Sequence, residues 1–292
     1  MKQKHFMSNT LVGAAGAMVV LAITTVATAT EPCNDEDGLG ECKALIEINA
    51  TDGDIGFHFL MDGDDLIKSQ VNNPDGQKIF EAIAKKEFRE QFMTETFVES
   101  AEPLCWDSPD AEEDDEIVTL EEFLELWTPG TYEFVGRGKE GEMVSGETEL
   151  TYLIPAAPAN VAFNIGTNVI SWAAGIDLGK CADFGELTAL VESDVLPLHP
   201  SAVMVDAWEV VFEPDVEDGD PLGQLKFTIR LSGDITVFSP LAVTVPQEYI
   251  DSIPDDTLAK IEVGAIGGED NATFTEIFNI CVNLVEGCEE ED

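Results

Sequence analysis

Turn residues recur along this chain at intervals too short for long helices. Asp52-Gly53-Asp54, Asp62-Gly63-Asp64-Asp65 and Asn72-Asn73-Pro74-Asp75-Gly76 break the first third into pieces. Such clusters select reversing turns, because Gly, Asn and Asp tolerate backbone conformations that other residues resist. Between them lie short apolar runs at 44–49, 55–61, 66–71 and 94–99, which predict strands. The segment 77–92 fits either a helix or a strand, with Ile79, Phe80, Ile83 and Phe88 as its apolar positions. Thr119 stands three residues before Glu122 and ahead of Phe123, Leu124, Leu126 and Trp127, which predicts a capping box opening a short helix that Pro129-Gly130 stops. Strands are expected again at 131–137 and 147–154.

Ile154-Pro155-Ala156-Ala157-Pro158 reads as a boundary, since paired prolines in extended chain mark the entry to a new unit. Beyond it the pattern is strand and turn, with runs at 168–172, 207–212, 224–231, 235–245, 259–266 and 273–282. The chain is therefore expected to be mostly β. It reads as a β-rich N-terminal domain with a short helix over 30–154, a β-sandwich over 155–283 and an acidic tail at 284–292.

Particular residues in the second half carry a resemblance. Val169-Ile170-Ser171-Trp172 is similar to the second-strand segment of fibronectin type III domains, whose Trp lies in the core. Ala207-Trp208-Glu209-Val210-Val211-Phe212 resembles the next core strand, and Lys260-Ile261-Glu262-Val263-Gly264-Ala265-Ile266 the penultimate one. The resemblance departs at Leu258, where the family carries a tyrosine, and in the stretch 173–205, which is longer than the usual connection. The whole chain also resembles a group of uncharacterised exported bacterial proteins through Asn49-Ala50-Thr51-Asp52-Gly53-Asp54-Ile55-Gly56 and Glu99-Ser100-Ala101-Glu102-Pro103. That likeness implies no activity.

Residues 1–29 have a basic start at Lys2 and Lys4, an apolar stretch and a small-residue end at Ala27-Thr28-Ala29, the layout of a cleaved secretory signal. Secretion or a periplasmic location is the expected address, with no membrane span after cleavage. The net charge of −45 repels nucleic acid and anionic lipid. Solubility in a salty medium accounts for such charge, and binding of cations or basic partners is the sharper reading; an extracellular protein or glycan is the expected partner. Cys33, Cys42, Cys105, Cys181, Cys281 and Cys288 form an even set in an exported chain, which reads as disulfides. Pairing Cys33 with Cys42 and Cys281 with Cys288 closes short loops and leaves Cys105 for Cys181, a bridge between the two halves.

Two groups are candidate sites. Asn49, Asp52, Asp54, Asp62, Asp64 and the adjoining Asp65 crowd oxygen donors of the kind calcium takes, at 6–8 per ion. The same Asp-Gly-Asp triplets are what hairpin turns select without metal. Calcium is thus a cofactor reading that competes with plain turn chemistry. Trp106 and Trp127 are the aromatics expected to be exposed for a ligand, whereas Trp172 and Trp208 fall in apolar strands and read as core. His58, between Phe57 and Phe59, is expected on a solvated strand face. No nucleophile has a recognisable base, and no Gly-x-Ser-x-Gly elbow occurs. A non-catalytic binding or structural protein is the reading preferred, with a hydrolase using Asp and Glu carboxylates as the competitor.

Overall fold

A computed structural model describes residues 32–33, 39–109, 117–217, 219–233 and 241–283. The expected leader at 1–29 and acidic tail at 284–292 lie outside the described residues. The first half runs β1 (Glu41–Asn49), β2 (Asp54–Asn72), β3 (Lys78–Ile83), α1 (Glu87–Gln91), β4 (Met93–Glu99), α2 (Leu120–Leu126), β5 (Gly130–Gly138) and β6 (Met143–Leu150). The second half adds β7 (Ala159–Asn164), β8 (Val169–Ala173), α3 (Phe184–Glu192), β9 (Val205–Pro214), β10 (Phe227–Ser232), β11 (Leu241–Thr244), α4 (Gln247–Ile250), β12 (Thr257–Gly267) and β13 (Ala272–Val282). The fold is mostly β, as the punctuated pattern predicts. The segment 77–92 divides its two readings, giving β3 and then α1.

One ten-stranded sheet crosses both halves in the order β10-β9-β12-β13-β1-β2-β5-β6, with β3 and β4 also pairing with β2. The joint is β1 against β13, a parallel pair with Ile48 opposite Thr273. Asn271 clasps that joint from 0% exposure. Its Oδ1 accepts from Ile46 N at 2.8 Å and its Nδ2 donates to Thr151 O at 2.8 Å. Thr273 and Thr275 donate hydroxyls to the carbonyls of Pro155 and Pro158, so the proline segment lies along β13.

β2 corrects the turn expected at Asp62-Gly63-Asp64-Asp65. It is a single strand of 19 residues that changes partners there: β1 and β4 flank its first part, β3 and β5 its second. The pairing shifts register between Asp62 and Leu66 against β4, and Asp65 sits at φ 53. The acids thus mark a bend, a use of turn-prone residues that keeps the strand continuous.

Two cores result. The first gathers Ile46, Ile48, Ile55, Phe57 and Phe59 under α2, whose capping box at Thr119 and Glu122 is formed. Each such side chain, fully buried, contributes roughly 1.5–3 kcal/mol. The long connection between β8 and β9 also joins this core through Leu178, Leu187 and Leu196. The second core is a sandwich: the sheet β11-β8-β7 faces β10-β9-β12-β13 across Ile170, Trp172, Trp208, Val210, Ile261 and Val263. Trp172 and Trp208 are 1% and 2% exposed and lie 5.9 Å apart, which makes them core as read from the sequence. Tyr249 on α4 clasps this core, its hydroxyl lying 2.6 Å from Phe212 O and 2.8 Å from Leu225 O.

Candidate functional site

Strand alternation puts two chemistries on opposite sides of β1 and β2. Ile46 opposite Phe57 and Ile48 opposite Ile55 face the core. The intervening pairs, Leu45 with His58, Glu47 with Gly56 and Asn49 with Asp54, share the other face. The same face continues through β13 and β12, where Glu276 lies opposite Glu262, and reaches Glu209 on β9 opposite Gly264. A carboxylate-rich surface therefore spans five strands.

The segment after β4 completes it. Ser100 N donates to Phe57 O, Ser100 Oγ accepts from Phe57 N at 2.9 Å, and Ile55 N donates to Pro103 O. These bonds hold Glu102 over Gly56. A Cβ on Gly56 would lie 2.9 Å from His58 Nε2 and 3.1 Å from Glu102 Oε1, so glycine here keeps the space between them open. His58 Nε2 is 3.3 Å from Glu102 Oε1, and His58 Nδ1 is 3.8 Å from Glu47 Oε2. One ligand atom from each of Glu47, His58 and Glu102 lies within 4.8 Å of the others. His58 is 5% exposed, which corrects the solvated face expected for it: Glu47, Glu102 and the edge of Phe97 at 6.0 Å cover the ring.

Burial and mutual repulsion act on the surrounding acids. Burial first, then Glu102 and Asp52, push the Asp54 carboxyl up to about 7. Glu262 is likewise raised to about 7, by burial and then by the charge of Glu276 beside it. Burial raises Glu47 as well, opposed by His58. Lys260 stands 3.6 Å from Glu276 and 3.4 Å from Glu213, the lysine compensation at the β12 end of the face.

The expected calcium donors do not form one group. Asn49, Asp52 and Asp54 share the β1–β2 hairpin, but the Asn49 oxygen is spent accepting from Thr51 N and Asp52 N, while Nδ2 donates to Asp52 and Glu276. Asp62 and Asp64 are exposed and sit eight and ten residues further along β2, roughly 26 Å or more away at 3.3 Å per residue. Asp65 pairs with Lys139.

The two tryptophans are not a shared exposed platform. Trp106 donates from Nε1 to Asp52 O at 2.9 Å, closes over Gly53 and carries Lys180 Nζ 4.5 Å above its ring. Trp127 stacks on Phe57 at 4.0 Å with the planes 8° apart. Both are half-buried and pack the first core. Cys105 and Cys181 are bonded beside Trp106, and Cys33 is bonded to Cys42. Cys281 is disulfide-bonded, and Cys288 lies outside the described residues.

Glu47, Glu262 and Glu276 were legible as polar positions alternating with core residues; Glu102 was not, because its place depends on a loop folding back over Gly56.

No protein-family model matches the chain, and no curated protein matches it. Among solved structures, it is similar to one described under the surface retention of a 1.5-MDa bacterial ice-binding adhesin, at 10% identity and a TM-score of 0.22, covering 87% of this chain and 66% of that one. A second is the BSP domain of a biofilm-associated protein, at 11% identity and a TM-score of 0.21, covering 82% of this chain and 29% of that one. The chain spans less than two thirds of either structure's length. Superpositions this loose carry no argument about architecture or role.

Proposed function

We propose that this chain is an exported binding or structural module that meets its partner through the acidic face of the large sheet. The observation that carries the reading is the row of carboxylates held on that face by regular strand register, with Asp54 and Glu262 raised first by burial and then by repulsion from Glu102 and Glu276, a repulsion that favours a cationic partner. A lysine- or arginine-rich segment of an extracellular protein relieves that repulsion; a neutral glycan does not. Export is supported by the leader pattern at 1–29 and by the bonded pairs Cys33–Cys42 and Cys105–Cys181. Among the described residues, no helix is long and apolar enough to cross a membrane. The fibronectin type III-like reading of 155–283 is supported by three strands, β7, β8 and β11, facing β10-β9-β12-β13.

Titrating a lysine-rich peptide into the protein at 0.15 M salt tests this. Glu262→Gln with Asp54→Asn is expected to weaken binding at least about tenfold, roughly 1.4 kcal/mol. Asp62→Asn with Asp64→Asn should leave it unchanged. Equal losses in both double variants mean diffuse charge attraction and sink the proposed face. A hydrolase is the second reading, favoured by the raised Asp54 carboxyl, because a general acid needs its proton near neutral pH. It predicts that Asp54→Asn abolishes turnover of a glycan while peptide binding survives.

A further inference from the structure

His58 presents an unusual problem of hydrogen bonding. Both ring nitrogens face carboxylates, Nε2 toward Glu102 and Nδ1 toward Glu47. A neutral imidazole has one N–H and one lone pair, so in either tautomer a lone pair points at an anion; a second ring proton or a metal ion on the ring each removes that clash. The 3.8 Å gap between Nδ1 and Glu47 is too long for a hydrogen bond. Asp54 and Glu99 add further negative charge nearby: Glu99 lies opposite His58 in the β2–β4 pairing, and Asp54 lies opposite Asn49 in the next row but one. Something positive fits this gap better than the imidazole alone.

We propose that Glu47, His58 and Glu102 bind one divalent ion of the zinc class, through one imidazole nitrogen and one oxygen of each carboxylate, with a fourth position open to water or to a partner's side chain. The inference concerns the face assigned above but needs no partner. Tetrahedral coordination at about 2.0–2.2 Å places ligand atoms roughly 3.4 Å apart. The three donor atoms already lie within 4.8 Å, so closure brings them about 1.4 Å nearer, chiefly by moving Glu47 toward the nitrogen that Glu102 faces. Gly56 leaves the volume between His58 and Glu102 clear, which any Cβ would narrow. The donor set decides the ion. Imidazole suits zinc, copper, nickel and iron, whereas calcium and magnesium take oxygen throughout. Three protein ligands with one vacancy also differ from a closed structural site, in which the protein supplies all four. An ion here would carry the acidic face's one strongly directional contact.

Equilibrium dialysis of the purified full chain against Zn²⁺ alone, at 0.15 M salt, is expected to give one tightly held ion that excess Ca²⁺ or Mg²⁺ does not displace. His58→Gln and Glu102→Gln should each lower affinity at least about tenfold, the least that changes even to groups behind the ligands cost. Asp62→Asn with Asp64→Asn should not. Two readouts use the unaltered protein, so a variant that fails to fold decides nothing by itself. Zn²⁺ should shift the ring resonances of His58 and leave those of His199, and Co²⁺ should develop visible ligand-field bands. Several weak equivalents, equal binding by His58→Gln, or no selective shift at His58 overturns the proposal. The peptide titration run in chelator is read separately, so either idea can fail alone.

Discussion

Two stretches, one at the turn into β2 and one midway along it, carry the same residue types and make different surfaces of them. Asp52 to His58 lies under the Glu99–Cys105 segment, beside Trp106 and Lys180, with the Asp54 carboxyl raised by burial and then by Glu102 and Asp52. Asp62 to Asp65 lies in solvent, its acids exposed or paired with Lys139. Each stretch has a disulfide near it: Cys105–Cys181 beside Gly53, and Cys33–Cys42 beside Met61, the residue opposite Cys42. The difference teaches that composition does not make a site. What distinguishes the first stretch is the chain that returns to cover it.

The disulfides give the largest test of that difference. Cys105–Cys181 closes a separation of 76 residues and Cys33–Cys42 one of 9. Chain-entropy reasoning assigns the first about 4.5 kcal/mol and the second about 2.6 kcal/mol. Urea unfolding of Cys105→Ser with Cys181→Ser should therefore show the greater loss. Equal losses would mean that the covered stretch is not held by its bridge.

Glycine substitutions come next. Gly53 has φ +77, and a Cβ there would fall 2.3 Å from the Trp106 ring and 2.8 Å from Lys180 Cβ. Gly76, past the far end of β2, has φ +72 and open space around it. Gly53→Ala should cost about 3 kcal/mol, from backbone strain and overpacking together. Gly76→Ala should cost about 1 kcal/mol from strain alone. Thermal melts of the two variants check the ordering.

The smallest effect is electrostatic. A carboxyl whose folded pKa is raised favours the protonated folded state, so stability present at low pH is lost as pH rises from 3.8 to about 7. Asp54→Asn should therefore stabilise the protein at pH 8, by about 1–2 kcal/mol after discounting for its partial exposure, and the gain should vanish below about pH 4. Asp62→Asn and Asp64→Asn should stay within about 0.5 kcal/mol at both ends of that range. Chemical denaturation at pH 4 and pH 8 distinguishes them.

Local signals were legible in the sequence wherever a few neighbouring residues decide the outcome. The Thr119 capping box needs four residues, and the strand alternation of 44–49 sets Ile46 and Ile48 against Glu47 and Asn49. The bend in β2 was not legible, because Asp-Gly-Asp-Asp serves a reversal and a strand bulge equally well and partner strands choose between them. His58 was misplaced for a similar reason. Alternation tells which side of a strand a residue faces but not what lies on that side, and its cover, Phe97 and Glu102, lies 39 and 44 residues on. The connection at 173–205 stands out in the sequence only by its length; Leu178, Leu187 and Leu196 bury themselves in the other core.

The parallel joint of β1 and β13 also sets an order of events. Ile46 and Asn271 are separated by 225 positions, so β1 must wait for β13, the last of the described strands, before one of its edges is satisfied. Pairings of such sequence distance form slowly, and an open strand edge is a template for another chain. A net charge of −45 keeps nascent copies apart during that wait, so the same acidity that shapes the finished face also protects the chain before the face exists.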